Sequence, residues 1–403
     1  MKSDLPLNWR YESLGKCCYV ISGATPRRDV SEYWGGGIPW VTPKDISKLD
    51  GPIIENTLEY ISEKGYKSCS ATILPEGSVL FSSRAPIGLV ALTGRPMCTN
   101  QGFKSLVPKE GLNSKYLYHC MKWVAPKLKA LGNGATFKEV SKEVVSRFEI
   151  PFPPLSEQKR IAAILDKADA IRRKRQQAIK LAGYFSRATF FKFFGDPVTN
   201  ANKWENLKIG KAVEADIILE IQDGNHGEKH PKVADFVKHG LPFLTANAIN
   251  KDFIDFNNCN YLDPIWLKKL RVGFAKPRDV ILTHKGSIGL SIVLDDTYDT
   301  YICSPQTTYY RVNEKKLVPE YLYSYFLTPY FQNLLISSGK QSTRLYVGIT
   351  RQKDLPILIP PIEKQKKYFD ILLYQKKMIK NYNETLLKAD VMFNSLAQKY
   401  FSR

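Results

Sequence analysis

Two long stretches decide most of what this chain can fold into. The first runs from Pro153 to Pro197 and opens Pro153-Pro154-Leu155-Ser156-Glu157-Gln158-Lys159-Arg160. Between Leu155 and Phe194 it carries no proline and one glycine, Gly183. Apolar residues recur at Ile161, Ile164/Leu165, Ala168, Ile171, Ala178/Ile179, Ala182, Phe185, Phe190 and Phe193. Spacings of three and four predict one long amphipathic helix. Pro154 and Ser156 suit its start, and Gly195-Asp196-Pro197 its stop. About 207 positions later Pro360-Pro361-Ile362-Glu363-Lys364-Gln365 opens a second proline-free run to Arg403. Its stripe is Ile371/Leu372, Met378/Ile379, Tyr382, Leu386, Ala389, Met392/Phe393, Leu396 and Tyr400. A long helix that occurs twice at this spacing marks a duplicated chain.

The blocks between the helices repeat too. Residues 1–152 form a first domain and residues 198–361 a second; the helices take 153–197 and 362–403. Asn8-Trp9 with Leu14-Gly15-Lys16 matches Lys203-Trp204 with Ile209-Gly210-Lys211. Ile38-Pro39-Trp40-Val41-Thr42 matches Leu241-Pro242-Phe243-Leu244-Thr245. Val79-Leu80-Phe81 with Pro86-Ile87-Gly88 matches Val280-Ile281-Leu282 with Ser287-Ile288-Gly289. Cys98-Thr99-Asn100-Gln101 is matched to Cys303-Ser304-Pro305-Gln306, and Tyr116-Leu117-Tyr118 to Tyr321-Leu322-Tyr323. Short strands at Val79–Phe81 and Leu89–Leu92, a helix over Lys115–Lys129 and an edge strand over Phe148–Phe152 do not alternate regularly. The expected fold class is therefore α+β rather than a doubly wound sheet.

The chain of 403 residues carries 59 Lys and Arg against 39 Asp and Glu, a net charge of +20. Such an excess, spread through segments that look folded, predicts a polyanionic partner, most simply nucleic acid. No run is apolar and long enough for a membrane span, and the N-terminal residues lack a signal region. No lipidation motif accompanies the basic helices. The seven cysteines are odd in number and lack a Cys-x-x-Cys pair, which predicts reduced thiols, a cytoplasmic protein and no zinc site.

Each helix is too long to bury its apolar face within one small domain. The economical arrangement is an antiparallel coiled coil of the two, with the copied domains related by a pseudo-two-fold axis. The competing arrangement packs each helix on its own domain. At about 1.5 Å per residue a forty-residue helix spans about 60 Å, further than one turn of duplex DNA, about 34 Å. Two separated basic domains fit a two-part site on double-stranded DNA. Their loops differ: Gly23-Ala24-Thr25-Pro26-Arg27-Arg28 in one, Asp223-Gly224-Asn225-His226-Gly227-Glu228-Lys229-His230 in the other. Specificity usually lives in such loops, so two half-sites of different sequence are expected.

Several of these segments together resemble the specificity subunit of type I restriction–modification systems. They are Ser22-Gly23-Ala24-Thr25-Pro26, Tyr33-Trp34-Gly35-Gly36-Gly37-Ile38-Pro39-Trp40-Val41, Phe81-Ser82-Ser83-Arg84-Ala85-Pro86-Ile87-Gly88, Asn100-Gln101-Gly102-Phe103 and the Pro153–Ile161 opening. Ile221-Gln222-Asp223-Gly224-Asn225-His226-Gly227 looks like the variant in the second half. The resemblance implies two target-recognition domains joined by two long helices, each domain reading half of an asymmetric bipartite DNA sequence. It implies that the helices act as a ruler and dock two methyltransferase subunits, with a translocating endonuclease subunit able to join. S-adenosylmethionine, ATP and Mg²⁺ would then belong to the partner subunits. The C-terminal helix departs from the pattern, since Glu363-Lys364-Gln365-Lys366-Lys367-Tyr368 lacks the Arg160-Ile161-Ala162 step.

Arg and Lys can clamp guanine, Asn and Gln adenine. Candidate base readers in the first domain are Lys44, Ser82, Ser83, Arg84 and Gln101; candidate phosphate contacts are Thr25, Arg27, Arg28, Lys104 and Lys138. In the second domain the candidates are Asn225, His226, Asn247, His284, Lys285, Gln306 and Arg344. Gln158, Arg160, Ile161, Arg172, Arg173 and Arg175 are the candidate docking residues on the central helix, the arginines serving DNA phosphates as the alternative. His226 and His230 lack the carboxylate spacing of a metal site. Ser338-Gly339-Lys340-Gln341-Ser342 lacks the earlier glycine of a phosphate loop, and no methyltransfer, dinucleotide or nuclease signature appears. The chain reads as a non-catalytic DNA-recognition subunit; a stand-alone DNA-binding adaptor and a nuclease with an unrecognised site are the alternatives.

Overall fold

The computed structural model describes residues 8–133, 138–226, 230–250, 253–339 and 346–402. It divides into two compact units, residues 1–179 with 381–403, and residues 180–380. The division cuts both long helices in mid-length instead of following their ends.

Both units are built on the same strands. In the first they are β1 (Arg10–Ser13), β2 (Cys18–Ser22), β3 (Trp34–Val41), β4 (Glu59–Ile61), β5 (Val79–Phe81), β6 (Val90–Thr93), β7 (Cys98–Thr99), β8 (Lys104–Pro108) and β9 (Glu149–Phe152). In the second they are β10 (Glu205–Lys208), β11 (Ile218–Asp223), β12 (Leu241–Leu244), β13 (Asn260–Leu262), β14 (Val280–Thr283), β15 (Ser291–Val293), β16 (Tyr301–Cys303), β17 (Thr307–Val312) and β18 (Pro356–Ile359). The order β2-β8-β5-β6 recurs as β11-β17-β14-β15, and β4-β3-β7 as β13-β12-β16. In both of these last sheets one pairing is parallel, β3 with β7 and β12 with β16. A two-stranded ladder, β1 with β9 or β10 with β18, closes each domain beside its long helix. Pro151 sits in such a ladder, where an edge tolerates its missing N–H. The central strands β5 and β14 are buried at every position, as a strand covered on both faces must be.

Strand pairing corrects one sequence match. Leu106 and Tyr310 occupy the same rung, opposite Val79 and Val280. Asn100 N donates to Val41 O at 3.0 Å, and Ser304 N to Leu244 O at 3.1 Å. Asn100 therefore matches Ser304, Gly102 matches Gln306, and Gln101 matches Pro305. The Cys98–Cys303 identity is off by one residue, because register follows buried side chains and ladder bonds rather than letters.

The predicted helix over Lys115–Lys129 is α1 (Ser114–Ala130), and the central long helix is α2 (Leu155–Phe194). In the second domain α3 (Pro319–Phe326) and α4 (Pro329–Gly339) stand where α1 stands in the first, and α5 (Ile362–Phe401) is the C-terminal long helix. Gly195 ends α2 in a left-handed turn at φ +76°, its N–H bonded to Phe191 O at 2.8 Å. Each half-helix packs on its own domain and on the other helix at once. In the first unit Ile161, Leu165 and Ala168 of α2 share a core with Tyr116 and Leu117 of α1 and with Phe393, Ala397 and Tyr400 of α5. In the second unit Phe190 and Phe194 meet Tyr321 and Tyr368, with ring centroids 4.7–5.9 Å apart. Within each unit the early part of one long helix thus lies against the late part of the other. The apolar stripe is broken, however. Ile171 and Phe185 are 46% and 60% exposed, so they leave the expected seam.

The start of each long helix is riveted to its domain by one glutamine. Gln158, fully buried, accepts from Asn113 N at 2.8 Å and donates to Gly111 O at 3.0 Å and Pro153 O at 2.8 Å. Gln365 repeats this: it accepts from Val318 N at 2.8 Å and donates to Lys316 O at 3.3 Å and Pro360 O at 2.7 Å. Gln158 is therefore an internal anchor and not a docking residue; Ile161, buried in the core, is not one either. Gln158→Ala would strand a buried backbone N–H and two carbonyls. The variant should lose about 2–3 kcal/mol, checked by urea unfolding, whereas Gln176→Ala on the exposed face of α2 should lose almost none.

Candidate nucleic-acid interface

Three candidate readers of the first domain converge. Lys44, Arg84 and Gln101, with Asn100, Gly102, Thr42 and Pro86, line a cleft of about 460 Å³. Lys44 is exposed on a short helix, Pro43–Ser47, fixed by the buried Asp45. That carboxylate accepts from Thr42 N and from Leu58 N, both at 2.8 Å. Gln101 Oε1 accepts from the Thr25 hydroxyl, which ties the preceding loop to the cleft. Gly23 lets that loop lie flat, since a Cβ there would sit 1.9 Å from Asn100 O; Gly224 meets Cys303 O at 2.0 Å in the same way. Arg84 Nε donates to Glu139 Oε2 at 2.8 Å.

Other candidates are corrected. Ser82 and Ser83 are fully buried. Ser82 Oγ donates to Pro86 O at 2.7 Å and accepts from Leu89 N at 2.8 Å, while Ser83 Oγ donates to Gly102 O at 3.1 Å. They shape the turn that carries Arg84 and cannot touch a base. Lys104 is 7% exposed and donates to Glu139 Oε1 at 3.1 Å, so it faces inward and not toward a phosphate. Burial alone would raise the Glu139 carboxyl, but the bonds from Lys104 and Arg84 outweigh it and hold it below its ordinary range. Arg27 pairs with Asp29 at 2.6 Å. Arg28 pairs with Glu59 and lies 4.0 Å over the Trp34 ring. Both remain exposed, as does Lys138.

The second domain puts a different set on the same frame. Asn247, His226 and Lys285 are exposed, while Asn225 is 8% exposed. His226 Nε2 lies 2.9 Å from Asp223 Oδ2. Gln306 Oε1 accepts from Ala246 N at 3.0 Å, filling space that Gly102 leaves open in the first domain. His284 is fully buried, its Nδ1 2.7 Å from Thr308 Oγ1. Burial lowers its pKa to about 4; Asp223 opposes this, and His226 and Lys285 add to it. It belongs to a buried chain in which Gln352 Nε2 donates to Thr308 Oγ1 at 3.0 Å and Tyr310 OH to Gln352 Oε1 at 2.5 Å. As a base reader His284 is corrected to a neutral support beneath the loop. Arg344 lies outside the described residues.

On α2 the basic cluster is largely committed. Asp169, buried, takes Arg172 at 3.2 Å, Arg173 at 2.9 Å and Lys122 at 3.5 Å. Arg172 also lies 4.8 Å over Phe393. Arg172 and Arg173 thus serve the helix seam rather than standing free. Beside them, Lys115 and His119 meet Asp166 at 3.0 and 2.8 Å. Burial pushes the Asp166 carboxyl up, but those two bonds outweigh it and lower it. Arg160 is exposed and paired with Glu157 at 2.5 Å, and Arg175 is half-buried.

Sequence reasoning missed Glu139, Asp45, Thr308 and Gln352. Their residue types are ordinary, and only the tertiary fold brings them to their partners. A larger concavity of about 600 Å³ in the second unit is lined by Phe191, Val198, Tyr330, Leu334 and Ile336 without any Lys or Arg. The first-domain cleft, by contrast, carries cationic and amide donors, groups that suit the acceptors of a DNA groove. Among the described residues no group of three His, Cys, Asp or Glu could hold a metal ion.

Comparison with known proteins identifies the family. The family model for the type I restriction modification DNA specificity domain matches residues 6–181 and again 218–388. The MjaIX specificity subunit of Methanocaldococcus jannaschii is 27% identical over 92% of this chain and 88% of its own length. The EcoKI specificity subunit of Escherichia coli K12 is 22% identical over 98% and 89%. The fold is that of the S subunit from M. genitalium, with a TM-score of 0.61 at 14% identity over 100% of this chain and 98% of that one. The chain belongs to the type I restriction–modification DNA specificity family and carries its domain twice.

Proposed function

We propose that the two domains each read one half of an asymmetric, bipartite duplex sequence, that the two long helices set the spacing between the halves, and that the chain does no chemistry itself. The observation that carries this reading is the contrast between matched positions of the two domains. Matched positions hold Arg84, Lys104 and Glu139 in one domain and Lys285, Thr308 and Tyr346 in the other, on one strand frame. Identical frames with unlike polar sets favour unlike half-sites. On this reading the subunit directs two methyltransferase subunits, which bring S-adenosylmethionine, and endonuclease subunits, which bring ATP and Mg²⁺. The net charge of +20 suits a duplex partner. The absence of any described helix long and apolar enough to cross a membrane, together with unpaired cysteines, fits work in the cytoplasm.

A domain exchange tests the reading. Replacing residues 1–152 with the matching domain of a relative should change one half of the methylated sequence and leave the other half and the spacer as they were, read by methylation sequencing. A change in both halves would overturn it. So would methyl transfer or Mg²⁺-dependent cleavage by the purified chain alone. Co-purification with a methyltransferase separates this role from that of an independent adaptor.

A further inference from the structure

The first-domain cleft contains a graded charge triad. Lys104 is 9% exposed at its side chain, Glu139 30% and Arg84 48%, so the charges step from floor to mouth. Glu139 gives one oxygen to each cation, Oε2 to Arg84 Nε at 2.8 Å and Oε1 to Lys104 Nζ at 3.1 Å. Among the described residues Arg84 is bonded through Nε, which leaves its two terminal Nη groups for a ligand. The carboxylate alone would neutralise Arg84; Lys104 behind it keeps the triad at one net positive charge. The backbone of Glu139 is pinned as well. It exchanges two bonds with Asn133, at 3.0 and 2.9 Å, and Val140 N donates to Ser83 O at 2.9 Å.

Register places the same three positions in the second domain at Lys285, Thr308 and Tyr346. Val347 N donates to His284 O at 3.1 Å there, as Val140 N does to Ser83 O. All three members differ together, as parts of one device would.

The geometry points to Glu139, backed by Lys104, as the positioning residue that holds Arg84 in one orientation to read the N7 and O6 edge of a guanine in the first domain's half-site. The inference rests on the DNA-reading role proposed above and adds a base identity and a new residue to it. An unsupported arginine on this rim could swing between base and phosphate. Fixing Nε aims the remaining fork and lowers the ordering cost of binding. Glu139 is not itself the reader, because both of its oxygens are already taken by cations.

The test uses the complex assembled with its methyltransferase partner and a library of random duplex DNA, sequencing the bound fraction. Wild type should enrich one G·C pair in the first domain's half-site by roughly 5- to 100-fold, the worth of one bidentate contact. R84K keeps the charge and loses the fork; E139Q keeps the shape but leaves one uncharged acceptor oxygen for two cations, and E139D keeps the charge but draws the carboxylate back by one methylene. Each should flatten preference at that one pair to within about 3-fold, with the preferences at the other pairs and in the second half-site kept. A merely structural role would instead reduce binding at all positions together. Unchanged preference in both Glu139 variants would overturn the inference, as would a first half-site with no G·C pair responding to R84K. If wild type enriches no sequence at all, the DNA-reading role itself fails, and this inference with it.

Discussion

A chain lengthened by four residues in each long helix, after Ile179 in α2 and after Lys380 in α5, should methylate the same two half-sites across a longer spacer. Four residues add about 6 Å and return each helical face to within about 40° of its former direction. Base pairs are stacked about 3.4 Å apart, so the spacer should grow by about two. The insertion points are where the two compact units divide, so neither domain core is disturbed. Methylation of the original target should fall below detection while the re-spaced target gains it, read by sequencing methylated DNA. An unchanged spacer would sink the ruler mechanism. A loss of all methylation with normal unfolding would show that the partner subunits need the native helix length.

The second large effect is a stability change with pH centred on His284. Its folded pKa is lowered to about 4, first by burial. In the unfolded chain it titrates at about 6.5. Above that pH neither state holds the proton and the full stability is present. As pH falls from about 6.5 toward 4, the unfolded state takes up a proton that the folded state refuses, and stability is lost. The total is roughly 3 kcal/mol. Urea unfolding of wild type and His284→Gln at pH 7 and pH 4.5 isolates the contribution, since glutamine keeps a polar partner for Thr308 without titrating. The gap between the two proteins should shift by roughly 2–3 kcal/mol in favour of the variant at the lower pH. Equal pH slopes would mean that His284 takes up its proton in the fold as readily as in the unfolded chain.

The duplication was legible because it is written in local patterns. Val79-Leu80-Phe81 and Val280-Ile281-Leu282 are buried strands in either copy, whatever surrounds them. The proline-free runs could be little other than helices. Lys44, Arg84 and Gln101, singled out in the sequence as candidate base readers, do line one cleft, since each lies on or beside a surface turn or short helix. Ser82 and Ser83 stand in the same motif and were misread, because hydroxyls can satisfy a turn from within as readily as they can face a ligand. Gln158 was misread likewise. Its neighbours on the helix give no sign that one side chain closes three bonds to the domain beneath it.

From the sequence alone came the two copies, the α+β class, the long helices and the demand of +20 charges for a polyanionic partner. These rest on periodicity and composition, which act over a few residues or over the whole chain. Only the tertiary structure decided that Gly102 and not Gln101 matches Gln306. It also committed Arg172 and Arg173 to Asp169 and set Glu139 behind Arg84. The reason is the same throughout. Strand register and helix packing join residues far apart in the chain, Arg84 with Glu139 or His284 with Gln352 through Thr308. Such pairs leave no periodic trace in sequence, because what matters is which side chains the folded backbone brings within reach of one another.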